Sequence, residues 1–172
     1  MKNVLELILS VIKLEKGFFQ EIKNSERVFT DAVAVIVIYS LATGVGNMGR
    51  MGFFGFFPAA LGALVMFLVW VFVIYFILGK SAGDSSLKMD FLKIAGFCSA
   101  PGIIKILGII HSLYWPALII SNILMMLSLA QAAGEVLNID NRPDLFKKTA
   151  FAWLIMIIIM RVLAMAAKIA IV

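Results

Sequence analysis

Residues 97–111 read "FCSAPGIIKILGIIH". The run is almost wholly apolar, yet it holds Pro101, Gly102, Lys105 and Gly108. Proline breaks helix interiors by removing a donor and crowding the preceding turn. A lysine inside a lipid-facing helix is costlier still. Whether this stretch is a soluble core element or a membrane span decides the fold.

Composition answers that question. Of 172 residues, 63% are hydrophobic and 15% are charged. A soluble domain is nearer half apolar with about a quarter charged. The mean hydropathy is +1.06. So much apolar surface needs lipid as its solvent. The expected fold is all-α: a polytopic membrane helix bundle with five transmembrane helices and an N-terminal amphipathic helix. Residues 1–30 form a cytoplasmic amphipathic segment, and residues 31–172 form one membrane domain.

The spans follow from runs of about 20 apolar residues, enough to cross a hydrocarbon core of roughly 30 Å. They fall at about 31–48, 57–79, 91–111, 116–134 and 149–171. Pro58 sits in the first turn of the second, where proline is tolerated. The start, "MKNVLELILSVIKLEKG", shows no small-x-small cleavage site and is expected to stay attached. Within residues 2–16, Asn3, Glu6, Ser10 and Lys13 share one narrow helical face opposite Val4, Leu5, Ile8, Val11 and Ile12. Two placements are open for this helix: flat in the membrane interface, which is favoured, or packed on the spans.

Charge orients the chain. Lys2, Lys13, Lys16, Lys23, Arg27, Lys80, Lys88, Arg142, Lys147 and Lys148 fall on one side, and Arg50 alone falls in the loops of the other. By the positive-inside rule the amino terminus is cytoplasmic and the carboxyl terminus lies outside or in a lumen. In a prokaryote the membrane would be the cell membrane. The net charge of +5 is read as this bias and not as a nucleic-acid footprint. Phe53, Phe54, Phe56, Phe57, Tyr114 and Trp115 make an aromatic belt at the outer face, and Trp153 is a candidate anchor at the inner one.

Several motifs carry less than they first suggest. "GVGNMG", residues 44–49, has the spacing of a dinucleotide fingerprint but lacks the strand and helix that fingerprint needs. It is read as a flexible glycine-rich outer loop. His111 is the single histidine and Cys98 the single cysteine, so neither a metal centre nor an intrachain disulfide is expected. The carboxylates lie at the inner face, far from His111, which argues against a catalytic triad. No cofactor is expected, and the chain reads as no enzyme. Ala130 with Gly134, and Ala166 with Ala170, are small pairs that let helices approach. Met125, Met126, Met156, Met160 and Met165 read as gap-filling core. No internal repeat is visible, which weighs against an inverted-repeat transporter.

The polar residues inside the spans are the candidate site. Pro101 is expected to kink the third span, with Ser99 serving the freed carbonyl. Lys105, near the outer end, either snorkels to the headgroups or turns into the bundle. Arg161 lies well inside the fifth span with no acid nearby, and is expected to face the interior. Asn122 is a candidate partner for it. Arg161, Lys105 and Asn122 together make a candidate intramembrane anion site.

Three pieces of sequence then suggest a relationship. They are "FLKIAGFCSAPG" opening the third span, the tryptophan of "YWPALIIS" after the tight outer turn, and "LAQAAGEVLNID" leaving the fourth span. Over about residues 15–172 the chain resembles the Yip family of Ypt/Rab-interacting five-span membrane proteins, in its short prokaryotic form. It departs from the family in "LEKGFF", where a proline is common before the first phenylalanine, and in lacking a long polar cytoplasmic segment. The resemblance implies an integral membrane scaffold that organises membrane or recruits a partner, with a vesicle-traffic-like role in eukaryotic relatives.

Two functional expectations result. The first is a non-enzymatic scaffold of that type. Its partners are the bilayer, anionic lipid in particular, a cytoplasmic protein, or a second copy of itself. The second is a small transporter or channel for an anionic solute using Lys105 and Arg161. A polar cavity reaching those residues separates the second from the first.

Overall fold

The structure, a computed structural model, describes residues 4–23, 25, 27–79, 90, 91, 93–136 and 142–169. Among them every regular element is helical. They are α1 (Val4–Ile12), α2 (Phe18–Ile22), α3 (Val28–Met51), α4 (Phe56–Gly79), a long 3-10 helix (Gly96–Ile109), α5 (Tyr114–Val136) and α6 (Arg142–Ile169). Short 3-10 turns at Phe53–Gly55 and His111–Leu113 lead into α4 and α5. Three segments, Val28–Met51, Phe53–Ile77 and His111–Val136, are long and apolar enough to cross a membrane.

Their outward faces require lipid. On α4, Leu61, Val65, Leu68, Phe72 and Phe76 are all more than half exposed. Their spacing of three and four residues makes one continuous apolar stripe. Val33, Val37 and Leu41 on α3 and Ile119, Ile120 and Ile123 on α5 are exposed likewise. Contiguous apolar surface on this scale is not stable in water, and acyl chains solvate it.

The centre of the bundle is the 3-10 helix, packed chiefly on α3 and α5. Here the structure differs from the kinked α-helix expected at Pro101. The proline sits inside a 14-residue 3-10 helix. A 3-10 helix has three residues per turn, and runs beyond three or four residues are uncommon. The sequence explains this one. Gly96, Ser99, Gly102, Lys105 and Gly108 recur at every third position, so a three-fold helix stacks them in one line. That line faces α3. A Cβ on Gly96 would crowd Ala32, and one on Gly102 would overlap the Tyr39 ring. From the other side, a Cβ on Gly46 would overlap the Lys105 carbonyl oxygen, and one on Gly49 the Ile109 carbonyl oxygen. The two helices meet backbone to backbone. The Ser99 hydroxyl donates to the Gly96 carbonyl oxygen at 2.7 Å, one turn back, and not to the Phe97 carbonyl that an α-helical kink would free.

The same contacts give the direction and length of the span. Residues 96, 102, 105 and 109 meet residues 32, 39, 46 and 49 in that order, so the two helices run parallel. Ala32 to Gly49 covers roughly 25 Å of α-helix. Gly96 to Ile109 covers roughly 26 Å at the 3-10 rise. The match in length keeps every glycine in register.

Other expectations shift with this packing. "GVGNMG" is no loop: α3 runs through it to Met51, and Gly46 and Gly49 are the contact surface. α6, the helix that carries the expected fifth span, starts at Arg142, ahead of that span. Pro143 is accommodated in its first turn, and Asp144 pairs with Lys148 at 2.9 Å. Trp153 is partly buried and packs against the core. α1 lies on the bundle: Leu7, Ile8 and Val11 join the buried core, and Ser10 is buried with them. Glu6, Leu9 and Lys13 form its exposed side. Residues 2 and 3 lie outside the described residues.

Gly46→Ala is expected to destabilise the protein by at least about 2 kcal/mol, because backbone cannot give way as a side chain can. Gly62→Ala, where an added Cβ meets nothing within 4 Å, is expected to leave stability unchanged or raise it by up to about 1 kcal/mol, since alanine favours a helix interior over glycine. Thermal unfolding of both variants in one detergent checks this. Equal midpoints would refute the contact.

Candidate functional site

Lys105 sits in the glycine line of the 3-10 helix, so its side chain leaves toward α3 and not toward lipid. Its Nζ lies 3.5 Å from the Tyr39 hydroxyl and 5.1 Å from the centre of the Tyr39 ring. Tyr39 is itself fixed from behind. Its ring meets Phe67 edge-on at 5.9 Å, and the Thr43 hydroxyl donates to its carbonyl at 3.0 Å.

Around Lys105 opens a cleft of about 320 Å³, at the small end of ligand-pocket volumes. Its polar lining is Tyr39, Thr43, Asn47, Lys105 and Tyr114. Its α4 wall is Pro58, Ala59, Gly62, Ala63 and Met66, and Leu118 of α5 closes one side. These residues lie toward the end of the bundle that carries the aromatic belt. There Phe53, Phe54, Phe57 and Trp115 are exposed. The Arg50 guanidinium lies 5.5 Å from the Tyr114 ring centre and 5.6 Å from that of Trp115, a cation–π arrangement. His111 is exposed beside them, its Nδ1 3.4 Å from the Gly49 carbonyl oxygen.

The electrostatics of the cleft are lopsided. An ammonium carries three N–H donors. Among the described residues Lys105 meets one hydroxyl at the edge of hydrogen-bond range and one ring face. No carboxylate pairs with it there; the described ion pairs, Lys93 with Asp90 and Lys148 with Asp144, are elsewhere. A partly buried cation with spare donors attracts an anion.

Asn122 and Arg161 are the other two candidates. Asn122 is half-buried one turn deeper on α5 than Leu118 and does not line the cleft. The Arg161 side chain lies outside the described residues, as do those of Met156, Met160, Met165 and Ala166. The Arg161 backbone lies on α6, roughly 28 Å from Arg142. α6 packs on both α4 and α5. The same length measured back from Gly79 and from Val136 reaches Ala60 and Ala117, which border the cleft walls.

Away from the cleft the core is solid. Phe91, Ile94, Phe97, Cys98, Leu129 and Val136 are at most 1% exposed. At that end a second polar cluster ties the N-terminal segment down. Glu135 Oε1 accepts from the Gly17 N–H at 3.0 Å, and Oε2 from the Phe19 N–H at 3.1 Å. The Gln20 amide donates to the Glu135 carbonyl oxygen. Gln131, one turn earlier on α5, donates to the Glu15 carbonyl oxygen and to Glu135 Oε1, both at 2.8 Å. Gly17 takes φ 78°, a conformation that favours glycine. The carboxylate thus serves N–H groups at the start of α2 that have no partner within the helix. Sequence reasoning missed this latch, although Gln131 and Glu135 at i, i+4 share a helix face.

Glu135→Ala should speed amide exchange at Gly17 and Phe19 by tenfold or more, since a hydrogen bond to a charged group contributes about 1.5–3 kcal/mol. Exchange at Leu129, deep in α5, should not change. Unaltered exchange at Gly17 and Phe19 would mean that the carboxylate does not hold α2. No family model matches the chain, and neither does any curated protein or solved structure.

Proposed function

We propose that the chain is a five-span membrane protein that catalyses no reaction and holds a small anion-bearing molecule at Lys105. The observation that carries this is the Lys105 ammonium turned into the cleft with unused donors. A through-channel is disfavoured, because the core beyond the cleft is filled by Phe97, Leu129 and their neighbours. The cleft is a place to bind at one end of the bundle. Arg161, whose backbone lies at similar depth on α6, is the second cation of this reading.

The five crossings are α3, α4, the 3-10 segment with the residues before it, α5 and α6. Parallel α3 and 3-10 helices are what two odd-numbered crossings require. The amino terminus is cytoplasmic, as the Lys and Arg distribution argues. A reporter fused at Met1 should therefore read cytoplasmic and one after Val172 non-cytoplasmic. Both on one side would end the five-span arrangement.

The latch favours a second reading alongside the first, a scaffold of the Yip type. α1 and α2 are held as a fixed surface at the inner end, with Lys13 and Lys16 exposed. That surface would meet anionic lipid or a cytoplasmic protein.

Anion binding is tested by thermal unfolding in zwitterionic nanodiscs across a panel of chloride, acetate, inorganic phosphate, oleate and oleoyl lysophosphatidate. At least one anion should raise the midpoint of the wild type, since binding to the native state stabilises it in proportion to saturation. Lys105→Met should abolish that rise. A panel without effect on the wild type would end the reading.

A further inference from the structure

The shape and lining of the cleft say more about its ligand than its charge does. The α4 wall offers Pro58, Ala59, Gly62, Ala63 and Met66, with no polar side chain among them. From Pro58 to Met66 this wall is roughly 12 Å long. A small hydrated anion would leave it uncovered. Its rim is apolar too. Leu61 and Val65, beside Gly62, are 62% and 55% exposed, and Ile119 and Ile120, beside Leu118, are 53% and 50% exposed.

The cleft also lies in a seam. α4 and α5 supply facing walls, yet they share no packed interface among the described residues. A groove between two lipid-facing helices, polar at one point and apolar along its length, matches a molecule with the same asymmetry.

Resting on the anion-binding reading above, we infer that the ligand is a single-chain anionic amphiphile drawn from the surrounding membrane. Its carboxylate or phosphate head meets Lys105, and its acyl chain lies along the Pro58–Met66 wall of α4. The head accepts from the Lys105 ammonium in a charge-assisted hydrogen bond. The Asn47 amide and the Tyr114 hydroxyl, both in the lining, supply further donors. The chain replaces lipid contacts with wall contacts, so the selectivity of the site comes from the head and its retention from both parts.

The test is equilibrium binding of radiolabelled oleate and oleoyl lysophosphatidate, against acetate and inorganic phosphate, to the full chain in zwitterionic nanodiscs. Empty nanodiscs are subtracted. At least one long-chain anion should bind in one equivalent and at least 100-fold more tightly than its short counterpart, and the pair of long chains tells which head is preferred. Lys105→Met should lower that affinity at least tenfold. Gly62→Leu, placed where the backbone leaves open space, should fill the wall and remove the long-chain advantage. Short anions binding as well as long ones would overturn the amphiphile and leave the anion reading standing. Long-chain binding untouched by both substitutions would show mere partition into lipid and overturn the amphiphile as well. No binding by any of the four would overturn the amphiphile, and together with no effect of chloride on the unfolding midpoint it would end the anion reading too.

Discussion

The bundle depends on one approach: the backbone of α3 against the backbone of the 3-10 helix, at Gly46 with Lys105 and at Gly49 with Ile109. In lipid no hydrophobic force draws apolar helices together, so contact depends on packing and close fit. Glycines on both partners let the main chains touch, and weak Cα–H···O contacts become available there. The rest of the arrangement follows from it. Tyr39 has its place because Gly102 leaves room for its ring, and Lys105 has its direction because it stands between Gly102 and Gly108.

A helix type that is ordinarily short persists here because neighbouring elements enforce it. Pro101 cannot donate to the preceding turn, and its ring crowds an α-helical carbonyl. Stretching to three residues per turn relieves the crowding. It also lines up the small residues for α3 and makes 13 residue steps as long as the 17 between Ala32 and Gly49. The core on the opposite side, with Phe97, Cys98 and Ala100 at most 1% exposed, holds the other faces of the helix.

Membrane class and the positions of the apolar helices were legible because hydropathy adds up over long segments. α3, α4 and α5 begin and end within a few residues of the runs that composition marks. The third span was legible as apolar but not as a 3-10 helix. Its period of three was present in Gly96, Ser99, Gly102, Lys105 and Gly108, while patterns are usually weighed against a period of 3.6 or 2. The same oversight left Lys105 undecided between lipid and interior, and cast "GVGNMG" as a loop when its partner surface was 60 residues away. Of the candidate site, Lys105 was found from its chemistry, whereas Tyr39, Asn47 and the α4 wall were not. They are ordinary residues in ordinary spans, and tertiary proximity alone brings them together. Glu135 was hidden for a different reason: its partners are backbone N–H groups, which have no signature in sequence.

A three-residue period also governs how this segment can vary. Each residue along a 3-10 helix turns the next by about 120°. Loss or gain of one residue between Gly96 and Gly102 would rotate everything beyond it by a third of a turn. Gly102 and Gly108 would leave the α3 seam, bulkier neighbours would be driven against the Gly46 backbone, and Lys105 would swing off Tyr39. Substitutions on α4 touch one side chain at a time, but a single-residue indel here changes every contact downstream at once. Length is therefore the property of this span most strictly held, more than the identity of any apolar residue within it.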